Sequence, residues 1–217
     1  SHELRTPVSV IRANSETLVD GALDNKKQSK VFAKAILHNA ERLSDMVSSL
    51  LDLSRIDYGE LKLNIEELPI NEHINKAIDS LKNLGKRKNI SITCSCSKGK
   101  IVLADKNALE RILNNLIENA FKYSDYQSTI NISTKKVKDY LEISVKDSGR
   151  GIPDEEQDFL FDRFYRTAEA RATEEKGSGL GLAIVKNLVN NLNGEVGVKN
   201  AKPQGSIFWF TLPLKTS

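Results

Sequence analysis

Leu61-Lys62-Leu63-Asn64-Ile65-Glu66 alternates apolar and polar residues, the period of a half-buried strand. It decides the fold because the chain before it keeps a different period. Upstream, Leu4, Val8, Ile11, Ser15, Leu18 and Ala22 recur at spacings of four and three. Ile36, Ala40, Leu43, Val47, Leu50 and Ser54 do the same. Such stripes are the seams of helices packed nearly parallel or antiparallel. Asp20-Gly21-Ala22-Leu23-Asp24-Asn25 lies between them and reads as a turn. Two helices bury one seam poorly, so a second copy of the chain is expected to complete a four-helix bundle.

Downstream, strands and helices alternate. The pattern predicts helices near 70–86, 105–124 and 179–193. It predicts strands near 61–66, 89–96, 100–104, 128–134, 139–147, 194–199 and 205–213. That order fits an α/β sandwich with one mixed sheet and helices on one face. The expected architecture is α+β: a helical hairpin over 1–58 and an α/β unit over 59–217. The stretch from Phe164 to Lys176 is charged, rich in alanine and short of large apolar residues, and reads as a mobile loop or lid.

The 217 residues suit one large or two small domains, and 39% hydrophobic with 28% charged residues fits a globular chain. A net charge of +3 gives no sign of nucleic-acid binding. No run of about 18 apolar residues is present, so no membrane span or membrane contact is expected in this stretch. The chain begins inside a motif at Ser1, and a longer parent protein is expected. Cys94 and Cys96 are expected to be reduced thiols on opposite faces of a strand, without zinc spacing around them.

Ser1-His2-Glu3-Leu4-Arg5-Thr6-Pro7 places a histidine directly before a carboxylate. Neutral imidazole has a free ring nitrogen for attack, and the proton on its other nitrogen suits a carboxylate acceptor. His2 is nine positions before Ile11, which puts it on the side of the helix away from the seam, facing solvent. Pro7 removes a helical hydrogen bond to the carbonyl of Glu3, so a local kink is expected. His38 and His73 have no comparable setting and read as helix surface.

Four more clusters follow. In Asn115-Leu116-Ile117-Glu118-Asn119-Ala120-Phe121-Lys122-Tyr123, residues Asn115, Asn119 and Lys122 share one helix face. Amide oxygens suit Mg²⁺ and lysine suits phosphate. In Asp147-Ser148-Gly149-Arg150-Gly151-Ile152-Pro153, the aspartate suits an exocyclic amine, and the glycines let backbone approach a ligand. Phe161-Asp162-Arg163-Phe164-Tyr165-Arg166 combines apolar anchors with arginines. Gly177-Ser178-Gly179-Leu180-Gly181-Leu182 opens a helix and presents backbone N–H groups. It lacks the lysine and hydroxyl ending of a Walker A loop.

With these five clusters in order, the chain resembles, over essentially its whole length, the catalytic portion of two-component sensor histidine kinases. They look like that family's H, N, G1, F and G2 boxes. The resemblance implies a dimeric phosphoacceptor hairpin joined to a Bergerat-type ATP-binding sandwich. It implies ATP and Mg²⁺ as cofactors, a homodimer, and a cognate response regulator as partner. Nothing in it implies a nucleic-acid partner. It implies phosphorylation of His2, with Glu3 as general base and Thr6 positioning water for dephosphorylation of the regulator. It implies Asn119 as metal ligand with Asn115 near the phosphates, Lys122 and Arg166 on phosphate, and Tyr123 lining the site. Asp147 would bind the adenine amine. Gly149, Gly151, Gly177, Gly179, Leu180 and Gly181 would shape the pocket and lid. The location implied is the cytoplasmic portion of a membrane-anchored bacterial receptor.

Two other readings compete: a gyrase- or chaperone-type ATPase, and a degenerate module for dimerisation and docking. The ATPases use a glutamate one turn before the metal asparagine. Asn115 stands there instead.

Overall fold

The computed structural model describes residues 2–57, 62–172 and 177–215, without the side chains at positions 2, 3, 56, 57, 87, 171 and 172. The expected boundary between 58 and 59 lies outside the described residues. Two antiparallel-type helices come first: α1 (His2–Val19), then a 3₁₀ turn (Ala22–Asp24), then α2 (Lys26–Asp57). Gly21 makes the turn possible, with φ at +123°, and the Asn25 side chain accepts the N–H groups of Lys27 and Gln28 to start α2.

The seam differs in part from the expected one. On α1, Leu4, Ile11, Ser15 and Leu18 are at least partly buried, but Pro7 is buried in place of Val8, which is 49% exposed. The helix continues through Pro7. On α2 the buried positions are Met46 and Leu53, with Ile36, Leu43 and Leu50 half-buried. Ala40, Val47 and Ser54 are exposed. The end of α2 leaves the seam with α1: Leu53 enters the core of the second unit and Leu50 packs against it.

The second unit follows the order β1 (Ile65–Pro69), α3 (Ile70–Lys88), β2 (Ser91–Ser95), β3 (Ile101–Asp105), α4 (Lys106–Tyr123), β4 (Thr129–Val137) and β5 (Tyr140–Lys146). Then come α5 (Asp154–Gln157), α6 (Ala168–Ala172), α7 (Gly181–Asn191), β6 (Val196–Asn200) and β7 (Ser206–Pro213). The expected single sheet is two. β2-β4-β5-β7-β6 form five strands, with only β2 and β4 parallel, while β1 and β3 form a separate antiparallel pair. A bridge between Val102 and Leu214 links them. The pairing of β1 with β3 reaches across α3, and no local pattern encodes it. The first strand also starts later than the alternation at Leu61 predicts.

Register builds the core. Val145 pairs with Phe208, Ile143 with Phe210 and Leu141 with Leu212, so one face of the sheet is a continuous apolar layer. The buried face of α4, including Leu109, Ile112, Leu113, Leu116 and Ile117, belongs to the same core, as do Ile184, Val185 and Leu188 of α7. The opposite face of α4 is thereby left to the site.

Two further expectations fail, those for His73 and for the cysteines. His73 is 4% exposed, because Ile70, His73, Ile74 and Ala77 form one buried helical stripe. Cys94 and Cys96 share a face, as residues two apart on a strand must, and are joined by a disulfide with Cα atoms 5.5 Å apart. The lid stretch contains the short helix α6; residues 173–176 lie outside the described ones.

Candidate functional site

Asp105 ends β3 and starts α4, with its side chain accepting the N–H of Ala108 at 2.9 Å and of Asn64 at 2.9 Å. That cap fixes where the polar face of α4 points. At the other end, Lys88 Nζ donates to the carbonyls of Lys122, at 2.6 Å, and Ser124, at 3.0 Å. A cation suits the carbonyl end of a helix.

A cavity of about 310 Å³ opens beside that face. Asn115, Asn119, Lys122 and Tyr123 form one wall; Asp147, Gly149 and Gly151 form the second. Gly177, Gly179 and Gly181 form the third, and Arg166 faces them from the chain before α6. Eleven of the twelve residues expected around a cofactor therefore meet at one cavity, although the sequence spreads them over α4 and three loops. Leu180 is the exception. It is fully buried in the core, where its carbonyl accepts the N–H of Ile184, so its side chain packs the start of α7.

Close approach explains the glycines. A Cβ at Gly181 would sit 2.6 Å from Asn115 Oδ1, and one at Gly149 would sit 2.5 Å from the Tyr123 carbonyl. Gly179 has φ at +72°, and its carbonyl accepts the N–H of Phe164 at 2.9 Å. The F-box segment is thus tied to the loop that opens α7, while Phe161 anchors it in the core.

Asp147 is 3% exposed. Its Oδ1 accepts the N–H of Gly149 at 2.9 Å and of Ser206 at 3.0 Å, and its own N–H donates to the Ser206 carbonyl. Burial pushes its carboxyl above the ordinary aspartate range, while the bonds from Gly149 and Ser206 pull it back. A carboxylate offers about four acceptor directions, so capacity remains for a donor on a ligand.

Asn115 Nδ2 donates to the Arg111 carbonyl at 2.9 Å, which leaves Oδ1 as the atom turned toward Gly181. Asn119 is one turn further along the same wall. Among the described residues, no group of three or more His, Cys, Asp or Glu side chains is placed to hold a metal. Two amide oxygens fit Mg²⁺, which keeps water and takes phosphate oxygens as its remaining ligands.

The structure adds lining residues that had no assigned role, among them Glu118, Ile152 and Phe208. Burial raises the carboxyl of Glu118 above its usual value. Glu118 stands beside Asn119 in the same cluster, and its position one turn before Lys122 is the signal that could have found it. An ion pair between Arg150 and Glu169 joins the G1 loop to α6 across the cavity. The side chains of His2 and Glu3 lie outside the described residues; their backbone is in α1, and Thr6 is exposed one turn further on.

Comparison with known proteins gives a consistent result. Residues 104–216 match the family described as histidine kinase-, DNA gyrase B-, and HSP90-like ATPase, and residues 1–59 match the His Kinase A phospho-acceptor domain. The sensor-like histidine kinase SenX3 of Mycobacterium tuberculosis is 36% identical over 213 residues, 98% of this chain and 52% of SenX3. The sensor histidine kinase WalK of Bacillus subtilis is 35% identical over 217 residues, 99% of this chain and 36% of WalK. The chain thus spans about half or less of the length of these relatives. Among solved structures, the Acinetobacter baumannii histidine kinase AdeS superposes with a TM-score of 0.81 at 26% identity, covering 100% of this chain and 99% of that one. The histidine kinase ThkA, solved in complex with the response regulator protein TrrA, shares the fold with a TM-score of 0.79 at 24% identity, over 98% of this chain and 59% of that one.

Proposed function

The chain belongs to the two-component sensor histidine kinase family, and from that premise we propose that it moves the γ-phosphoryl group of Mg-ATP to His2 and then to an aspartate of a response regulator. The observation that supports this best is the convergence of α4, the Asp147–Ile152 loop and the Gly177–Gly181 loop on one cavity.

In this reading Asp147 accepts the adenine amine, and Tyr123 borders the nucleotide. Lys122 and Arg166 offset charge on the phosphates. Asn119, with Asn115 beside it, holds Mg²⁺, which when bound offsets charge on the transferring group. The free ring nitrogen of His2 attacks the γ-phosphorus, the bond from phosphorus to the ADP oxygen breaks, and Glu3 takes the proton from the other ring nitrogen. Positioning supplies most of the acceleration. The phosphohistidine then donates to the regulator, and Thr6 orients water when the regulator is dephosphorylated.

The outward apolar residues of the hairpin support a homodimer. Val8, Val19, Val31, Leu37, Val47 and Leu51 are between 45% and 78% exposed. Pairing with a second hairpin would cover them in a four-helix bundle. No helix among the described residues is long and apolar enough to cross a membrane. A membrane-anchored receptor is the reading for the parent protein, with this stretch on its cytoplasmic side.

The test is incubation with γ-labelled ATP followed by acid and alkali treatment. The expected label is acid-labile, alkali-stable and absent from His2→Gln. Label retained in that variant would exclude His2 as the acceptor.

A further inference from the structure

The Asp147–Ile152 loop is held at both ends by the same hairpin. Asn200 and Ser206 are register partners at the close of β6 and the start of β7. Ser206 grips the first end through Asp147: its carbonyl accepts the Asp147 N–H at 2.9 Å, and its own N–H donates to Asp147 Oδ1 at 3.0 Å. Asn200 grips the second end with its side chain. Its Oδ1 accepts the N–H of Ile152 at 2.9 Å, and its Nδ2 donates to the carbonyl of Ile152 at 2.8 Å. The amide reproduces with one residue the two-way pairing of a strand neighbour. Nδ2 also donates to Asp154 Oδ1 at 3.2 Å, and Gln157 Nε2 donates to both the Ile152 carbonyl and Asp154 Oδ1.

Between these grips lies Gly151, with φ at +85° and an ideal Cβ position 3.1 Å from Asn200 Oδ1. Both Gly151 and Ile152 line the cavity. Asn200 does not line it, and no motif in the sequence marks it. We propose that Asn200 is a positioning residue of this site: it holds Gly151 and Ile152 against the nucleotide and thereby sets affinity for the part that ATP and ADP share. This rests on the reading of the cavity as an ATP site.

The chemistry of the amide orders the substitutions. Alanine loses both bonds to Ile152 and the one to Asp154. Serine keeps one, because a hydroxyl reaches the Ile152 N–H or its carbonyl but not both. Aspartate keeps the acceptor but turns a second acceptor toward the Ile152 carbonyl and the Asp154 carboxylate, so it repels where asparagine donates. Because the loop touches no transferring group, the rate at saturating ATP stays the same.

The experiment uses the 217-residue chain, with ATP and ADP binding measured by calorimetry and autophosphorylation followed against ATP concentration. For Asn200→Ala the expected result is a KM for ATP raised about three- to tenfold, the range for one or two lost hydrogen bonds. The maximal rate should change less than twofold, and ADP affinity should fall by the same factor as ATP affinity. Asn200→Ser should fall between wild type and alanine, and Asn200→Asp should be the weakest. Thermal melting of each variant identifies any that fails to fold, and the folded members of the series then decide. Equal affinity in wild type and Asn200→Asp overturns the proposal, as does a fall in maximal rate at unchanged KM. Failure of the wild-type chain to bind ATP would instead overturn the ATP-site reading.

Discussion

Arg111 Nη2 lies 2.6 Å from Asp52 Oδ2, an ion pair that joins the helical hairpin to the helix carrying the asparagine wall. Both side chains are about two-thirds shielded from water. The same Arg111 supplies the carbonyl that orients Asn115. A double-mutant cycle of Asp52→Ala and Arg111→Ala in urea unfolding should give a coupling of about 0.5–1 kcal/mol, with the remaining water holding it at that level. ATP affinity should change less than twofold in either variant, because the Asn115 bond uses backbone of Arg111 and survives the substitution.

Leu53 lies one position from Asp52 and is fully buried in the core of the second unit. The end of α2 is therefore part of that core. Leu53→Ala should cost about 2–4 kcal/mol of unfolding free energy, the usual range for a leucine truncated to a cavity. The loss should appear in the transition of the α/β unit, followed by fluorescence of Trp209 on β7.

Asp147 is a buried carboxylate whose folded pKa is raised, chiefly by burial. A raised folded value means the folded protein binds the proton more readily, so this group's contribution to stability falls as pH rises from about 4 through the folded value. At neutral pH the charge is a net cost. Asp147→Asn removes it, and the amide oxygen still accepts from Gly149 and Ser206. The melting temperature at pH 7 should stay level or rise. In the proposed nucleotide site the amide nitrogen would then meet the adenine amine donor to donor, and ATP affinity should fall at least tenfold, close to the cost of one unsatisfied buried donor. Calorimetric titration checks the second outcome and melting the first.

How far the sequence carried the fold and site depended on range. Helix and strand positions were legible because local period encodes burial: α3, α4 and β4 to β7 fall close to their predicted spans. The walls of the cavity were legible because each motif is short and continuous. The split of the sheet was not, since β1 reaches β3 across a 19-residue helix. Asn200 was not, because its partner Ile152 is 48 positions away. His73 and Leu180 were readable in principle. His73 falls on the apolar stripe of α3 and Leu180 at the buried start of α7, positions that helical spacing encodes.

His73 is buried between α3 and α4, with Nδ1 3.7 Å from Glu110 Oε1. Its pKa is lowered, first by burial and then by Lys76, with Lys106 acting the same way and Glu110 and Glu72 opposing. A lowered folded pKa means the unfolded chain takes the proton first. Stability is therefore full above about 6.5, the unfolded value, and declines as pH falls through that point toward the folded value. The melting temperature should drop between pH 7 and pH 5, and His73→Gln should flatten that part of the profile. A His73→Gln profile as steep as the wild type would assign the decline to other groups.

Gly181 and Gly177 both border α4, but their neighbours differ in freedom. A Cβ at Gly177 would sit 2.9 Å from Lys122 Nζ, the far end of a flexible side chain that donates to Tyr123 Oη at 2.8 Å and can shift together with it. A Cβ at Gly181 would sit 2.6 Å from Asn115 Oδ1, and that amide is fixed by its bond to the Arg111 carbonyl. Relief requires rotating Asn115 and breaking that bond, or shifting the start of α7, which Ile184 and Val185 hold in the core. Gly181→Ala should therefore weaken Mg-ATP binding about tenfold or more, as expected for a displaced positioning group. Gly177→Ala should weaken it less, no more than about threefold, because only the flexible end of a half-buried lysine has to shift. Calorimetry with ATP in the presence and absence of Mg²⁺ measures both, and the Gly181→Ala loss should be larger with the metal, because Asn115 and Asn119 share the wall that would hold it.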